Sequence, residues 1–280
     1  MLKGKTAVVT GGSRGIGKAI CLKFAENGAD IAFLYAGNTV KAEETVKELE
    51  GLGVKAKAYQ CNVADADAVA AVIKEIVKDF GGIQILVNNA GFGISGAVEF
   101  TDTEEAERQF NVNFFGMVRM NRAVIAAMRS RGGGRIVNLS SVAAPVPIPF
   151  QTYYSASKAA INSYTMALAN ELRPFGITVC AVIDRMPGDI HTGFTAARRK
   201  VAEGDEIYAG RISRSVKRME HDEQTGMDPA KAGAFVGRVA LKTGHKPLYT
   251  IGFAYKAAVF LTKILPAGAL NWLIGKIYAS

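Results

Sequence analysis

Apolar and polar positions follow two rhythms along the first 190 residues. Short apolar runs at 6–10 (TAVVT), 30–35 (DIAFLY), 54–60, 83–87 (IQILV), 135–140 (RIVNLS) and 177–183 predict strands. Between them lie stretches of helical period at 13–27, 40–52, 65–80, 103–131 and 153–173. The clearest places Val69, Val72, Ile73, Ile76, Val77 and Phe80 on one stripe of an amphipathic helix. Strand and helix alternate with short joints, which implies right-handed βαβ crossovers and a parallel sheet covered on both faces. The predicted fold is therefore a doubly wound α/β (Rossmann-type) single domain spanning 1–252. After Thr192 the rhythm changes. Residues 194–225 are polar and helix-prone with no obvious strand, and 193–226 is expected to be a mobile substrate lid. Asp228-Pro229 reads as a helix start running to about residue 242. Residues 248–251 read as a last strand. The segments 253–265 and 267–278 are apolar helices separated by Pro266, forming a tail over 253–280 that packs on the same domain or on a partner.

Composition narrows the class. The chain has 280 residues, 49% hydrophobic and 21% charged, which excludes disorder as the main state. Cys21, Cys61 and Cys180 form neither a disulfide framework nor a metal-ligand spacing, and His191, His221 and His245 are scattered singly, so no metal is expected. The first residues lack a signal peptide's apolar region and cleavage site, and a cytoplasmic protein is expected. The net charge is +9, and it is uneven. No acidic residue follows Asp228, while Lys231, Arg238, Lys242, Lys246, Lys256, Lys263 and Lys276 do. This basic end fits a solvated face, an acidic partner, an anionic substrate or a membrane surface. Nucleic acid is not an expected partner. The longest uncharged run there, 264–275, is too short to span a bilayer.

Three constellations carry chemistry. The first strand leads into Thr10-Gly11-Gly12-Ser13-Arg14-Gly15-Ile16-Gly17. Glycines between a first strand and a helix let backbone approach a phosphate, and the helix N-terminus adds free N–H groups, so a dinucleotide is predicted. The second strand ends in Leu34-Tyr35-Ala36-Gly37-Asn38, without the carboxylate that would hold the ribose hydroxyls of NAD. Its absence admits a 2′-phosphate, and Arg14 supplies a matching charge, which favours NADP(H). Tyr154 and Lys158 stand four apart, on one helix face. A neighbouring ammonium favours a tyrosinate, which makes the phenol a general acid or base. Ser141 lies just past the fifth predicted strand, at the edge where parallel sheets bind ligands.

Together these features resemble the short-chain dehydrogenase/reductase family over about residues 5–192. The resemblance rests on TGGSRGIG at 10–17, CNV at 61–63, NNAG at 88–91, Asn113 in NVNFFG, Ser141, YSASK at 154–158 and PGDIHT at 187–192, all in family order. It implies that Tyr154 is the proton donor and acceptor, that Lys158 binds the nicotinamide ribose and tunes the tyrosine, and that Ser141 positions the substrate oxygen. Asn113 would hold a water extending a proton relay through Lys158. Gly11, Ser13, Arg14 and Ile16 would meet the phosphates; Tyr35, Ala36 and Asn38 the adenosine ribose; Asn62 and Val63 the adenine. Asn89, Ala90 and Gly91 would back the cofactor, and Pro187, Gly188, Ile190 and Thr192 would contact its nicotinamide half. Two departures stand out. Asn62 replaces the family's usual Asp, and Ile183-Asp184-Arg185-Met186 lengthen the run before Pro187.

The expected activity is NADP(H)-dependent interconversion of a carbonyl and a secondary alcohol on a small-molecule, hydrophobic substrate. Alternatives are a 3-oxoacyl-carrier-protein reductase, a hydroxysteroid dehydrogenase, or a non-catalytic NADP-binding regulator. A homo-oligomer, dimer or tetramer, is expected. The tail resembles that of family members acting on lipids and steroids. It can equally complete the core, a subunit interface, a substrate entrance, a membrane contact or a carrier-protein contact.

Overall fold

A computed structural model describes residues 2–184, 198–224, 228–242 and 244–279. Its main sheet joins β1 (Thr6–Thr10), β2 (Asp30–Tyr35), β3 (Ala56–Gln60), β4 (Ile85–Asn88), β6 (Gly134–Ser141), β7 (Ile177–Asp184) and β9 (Leu248–Thr250). Among the described residues it has seven strands, all parallel, in the order β3-β2-β1-β4-β6-β7-β9. The order reverses between β1 and β4, and a crevice opens at their carboxyl ends.

Helices cover both faces, as the unbroken apolar runs require. On one face α1 (Gly15–Ala25), α2 (Thr39–Glu50) and α8 (Pro229–Ala240) pack on a core that includes Phe24, Phe33, Val137 and Val236. On the other, α3 (Ala66–Phe80), α5 (Met117–Ser130) and α6 (Thr152–Leu172) bury Ile76, Met120, Val124 and Leu168 against Val8, Leu86 and Ile136. Asp65 caps α3 through Oδ1, which accepts from the Asp67 and Ala68 N–H groups, and Gly81 closes it with φ 76°. Asp228 caps α8 in the same way, accepting from the Ala230 N–H at 2.8 Å.

Two features depart from the pattern expected of the sequence. The helical stretch 103–131 is not uniform: α4 (Thr103–Phe110) and α5 are joined by a π-helical segment, Asn111–Gly116. Wider i→i+5 turns of this kind recur at functional sites, and this one carries Asn113. Two strands of two residues each, β5 (Ile94–Ser95) and β8 (Arg199–Lys200), pair in parallel, so the polar stretch after residue 193 does contain strand. The remaining elements are α7 (Arg211–Gln224) and the tail helices α9 (Phe253–Ile264) and α10 (Ala267–Tyr278), split at Pro266 as the sequence predicts. No helix among the described residues is long and apolar enough to cross a membrane, and none of their His, Cys, Asp and Glu side chains cluster to hold a metal ion.

Candidate active site

The crevice at the switch point is a cleft of about 850 Å³. Its floor is the turn from β1 into α1. Gly11 has φ +68°, a region costly for other residues. At Gly17 a β-carbon would lie 2.1 Å from the Gly11 carbonyl oxygen, so only glycine lets α1 start this close to the turn. No side chain caps α1, and Gly15, Ile16 and Gly17 line the cleft with Ser13 and Arg14. That is a cradle for a phosphate chain. Thr10 secures the opposite wall. Its hydroxyl accepts from the Asn89 and Ala90 N–H groups at 2.9 and 3.0 Å, and its carbonyl accepts from Asn89 Nδ2 at 2.9 Å.

Tyr35, Ala36, Gly37 and Asn38 form one end of the cleft, and Asn62 and Val63 the adjoining rim. Part of each amide is already engaged: Asn38 Oδ1 accepts from the Lys41 N–H and starts α2, and Asn62 Oδ1 accepts from the Ala64 N–H at 3.0 Å. Among the described lining residues Arg14, Arg108 and Lys158 are cationic, and none is Asp or Glu. The lining fits an anionic dinucleotide.

The other end of the cleft holds Ser141, Tyr154 and Lys158, each nearly buried. Ser141 is the last residue of β6. Its Oγ accepts from the Ala143 N–H at 3.1 Å, which leaves the hydroxyl proton to donate. Lys158 lies one helical turn beyond Tyr154 on α6. Its Nζ donates to the Leu139 carbonyl at 2.8 Å and stands 5.6 Å from the centre of the Tyr154 ring. Asn113 sits behind the cleft wall. Its Oδ1 accepts from the Phe92 N–H at 3.0 Å and its Nδ2 donates to the Phe92 carbonyl at 2.9 Å. Pro187, Gly188, Ile190 and Thr192 lie outside the described residues.

Beneath the site runs a buried chain of amides. Asn88 Nδ2 donates to Asn121 Oδ1 at 2.7 Å and to Asn138 Oδ1 at 2.8 Å, and Asn138 Nδ2 donates to Thr165 Oγ1 at 2.9 Å. It fastens α5, β4, β6 and the catalytic helix α6 together. The sequence reading missed this role, although Asn138 inside a predicted strand was a signal. It also missed Arg108 at the cleft mouth, 4.8 Å over the Phe92 ring, and Gln151. Gln151 precedes α6, is buried, and has no hydrogen-bond partner among the described residues for either end of its amide.

The Tyr154 ring belongs to a third apolar cluster, with Val142, Ile148, Ile183 and Met219. Val216 of α7, Val259 of α9 and Tyr278 of α10 pack against it. The described part of the expected lid and the tail thus both reach the cluster around Tyr154. All three cysteines are buried, and burial pushes the Cys180 thiol up to about 11 even beside Arg135.

The sequence profile of the short chain dehydrogenase family matches residues 5–203. The chain belongs to that family. It is therefore an oxidoreductase acting between carbonyl and alcohol with a nicotinamide cofactor. A relative named 3-ketodihydrosphingosine reductase, from Bacteroides thetaiotaomicron, is 37% identical over 255 residues, covering 88% of this chain and 90% of its own. The 3-oxoacyl-(acyl-carrier-protein) reductase FabG of Staphylococcus aureus is 42% identical over 193 residues, 69% of this chain and 77% of its own. Among solved family structures, a short-chain dehydrogenase from Streptomyces avermitilis superposes with a TM-score of 0.83 at 27% identity, covering 97% of this chain and 94% of that one. One from Burkholderia cenocepacia in complex with NADP gives 0.73 at 34% identity, covering 89% and 97%.

Proposed function

We propose that the protein reduces a ketone on a long-chain amphiphile to a secondary alcohol with NADPH. The observation that carries the reading is the cleft itself, with its glycine cradle at one end and Ser141, Tyr154 and Lys158 at the other. Arg14 and Ala36 in one cleft, with no carboxylate among its described lining residues, support NADP(H) over NAD(H). When bound, NADPH supplies the hydride to the carbonyl carbon. Ser141 donates a hydrogen bond to the carbonyl oxygen and holds it in place. Tyr154 gives its hydroxyl proton to that oxygen as the alcohol forms. Lys158, fixed by the Leu139 carbonyl, holds the ribose and stabilises the phenolate left behind. One hydride and one proton complete the two-electron reduction.

The substrate class rests on what surrounds Tyr154. Val142, Ile148 and Met219 offer an apolar wall, to which the helix of residues 211–224 contributes Met219 and, beside it, Val216. The Gln151 amide, buried three residues ahead of Tyr154 and without a partner among the described residues, is assigned in this reading to a polar substituent of the substrate. An apolar chain with a polar group beside its ketone is the chemistry named for the Bacteroides relative. The second reading, a 3-oxoacyl thioester on a carrier protein, is favoured by the identity to FabG. We place the enzyme in the cytoplasm as a homo-oligomer. The half-exposed Phe115, on the outer side of the π-helical segment, supports a subunit contact there.

A ketone panel with NADPH tests the reading. Long-chain 3-ketones bearing a neighbouring amine or hydroxyl should be reduced with a kcat/KM at least about tenfold above short 3-oxoacyl thioesters, a difference of about 1.4 kcal/mol. The reverse order would move the protein to the thioester reading, and no turnover on any ketone would leave a nucleotide-binding regulator.

A further inference from the structure

Large hydrophobic side chains exposed among the described residues are concentrated at one place. Of thirteen, six lie in the tail helices: Phe260, Leu261, Ile264, Trp272, Leu273 and Ile277. Trp272, the chain's only tryptophan, is 64% exposed, and Phe260 is 59% exposed. At 100° per residue, Trp272, Leu273, Lys276 and Ile277 fall on one arc of α10, while the buried Ile274 and the half-buried Tyr278 fall on the other. In α9 the outward arc holds Phe260, Leu261 and Ile264, flanked by Lys256 and Lys263, and Val259 turns inward. Each helix therefore has its packed face satisfied and a second apolar face left outside.

Charge narrows what covers that face. From residue 229 onward the side chains include seven cations and no carboxylate. The tail lysines border the apolar arc, and Lys276 stands 6.0 Å over the Trp272 ring. A second copy of the chain, docked face to face, would set these lysines against their own kind with no acidic counterpart. Spanning is excluded by length. Twelve residues at about 1.5 Å each make about 18 Å, short of a hydrocarbon core of about 30 Å, and Pro266 breaks the run. An apolar face edged by lysine and carrying an exposed tryptophan matches the plane of a lipid headgroup layer.

We propose that α9 and α10 dock the protein on an anionic lipid bilayer, with the apolar arcs at the acyl boundary and Lys256, Lys263 and Lys276 at the headgroup phosphates. The inward faces of the same helices touch the cluster that holds Tyr154, through Val259 and Tyr278. Docking thus brings the substrate end of the cleft close to the bilayer. That consequence for substrate delivery rests on the proposed function; the docking itself does not.

The test uses the full-length protein and co-sedimentation with phosphatidylcholine vesicles, with and without phosphatidylglycerol. Binding should require the anionic lipid and weaken as salt rises. The double variant Phe260→Ser/Trp272→Ser, and separately Lys256→Gln/Lys263→Gln/Lys276→Gln, should each lower the partition coefficient at least about tenfold. An unchanged NADPH titration shows that each variant is folded, and it separates failure of docking from failure of the oxidoreductase reading. No binding to anionic vesicles overturns the proposal, as does binding that both variants retain. Loss of the oligomer in the serine variant without lipid, with vesicle binding kept, would make the face a subunit interface. Capture of an acidic carrier protein without vesicle binding would make it a protein dock.

Discussion

Residues 6–184 bury all their main-sheet strands but the edge strand β3 on both faces and deliver Gly11, Asn89, Ser141 and Tyr154 to one edge of the sheet. Residues 198–279 add β9 to that sheet, β8 beside β5 and α8 to one helical layer, while α7, α9 and α10 pack around the Tyr154 cluster and the last two turn apolar side chains outward. The first region meets a ligand whose shape does not vary, and a phosphate chain dictates backbone approach, hence glycine at fixed spacing. The second meets whatever carries the ketone, so its chemistry lies in side-chain packing between distant segments. Nearness of Met219 and Val259 to Tyr154 is a property of the folded chain alone.

The largest effect expected in the first region is at Tyr154. Tyr154→Phe removes the proton donor and keeps the ring in its apolar cluster. Turnover should fall by about 10² to 10⁴, the usual worth of general acid catalysis, while NADPH affinity measured by fluorescence titration stays within a few-fold. A variant keeping a substantial fraction of wild-type turnover would place the proton elsewhere. Stability should divide the regions as sharply. Met120→Ala empties a buried site in the sheet core and should cost about 2–5 kcal/mol in denaturant unfolding. Trp272→Ala, on the exposed tail, should stay within about 0.5 kcal/mol. A large loss from Trp272→Ala would mean that the tail face is covered within the protein.

How much of this was legible follows the same division. The glycine turn, the missing carboxylate after β2, the Tyr154–Lys158 spacing and the Pro266 break are local in sequence and could be read there. The pairing of Ile94 with Arg199 joins two-residue strands with no periodicity to detect. The π-helical segment around Asn113 lies inside an unbroken run of helix-compatible residues, so 103–131 reads as one helix. Gln151 and Arg108 could not be singled out, since one is defined by a missing partner and the other by the cleft it reaches.

Two smaller effects sharpen the contrast. Ala36→Asp should reverse the cofactor preference, moving the NADPH-to-NADH ratio of kcat/KM by at least about tenfold, or about 1.4 kcal/mol, through repulsion of the 2′-phosphate. An unchanged ratio would mean that Arg14 and the end of β2 do not read the phosphate. Gln151→Leu should raise KM a few-fold for ketones with a polar neighbour, with kcat and the KM for NADPH held. Loss of kcat on every ketone alike would make Gln151 a support of α6 rather than a substrate contact.

The most direct measurement is steady-state consumption of reduced nicotinamide by the purified full-length protein, with a long-chain 3-keto amphiphile and either NADPH or NADH. The account predicts one alcohol formed per NADPH consumed and a kcat/KM at least about tenfold lower with NADH. Equal rates with the two cofactors, or no alcohol with either, would contradict it.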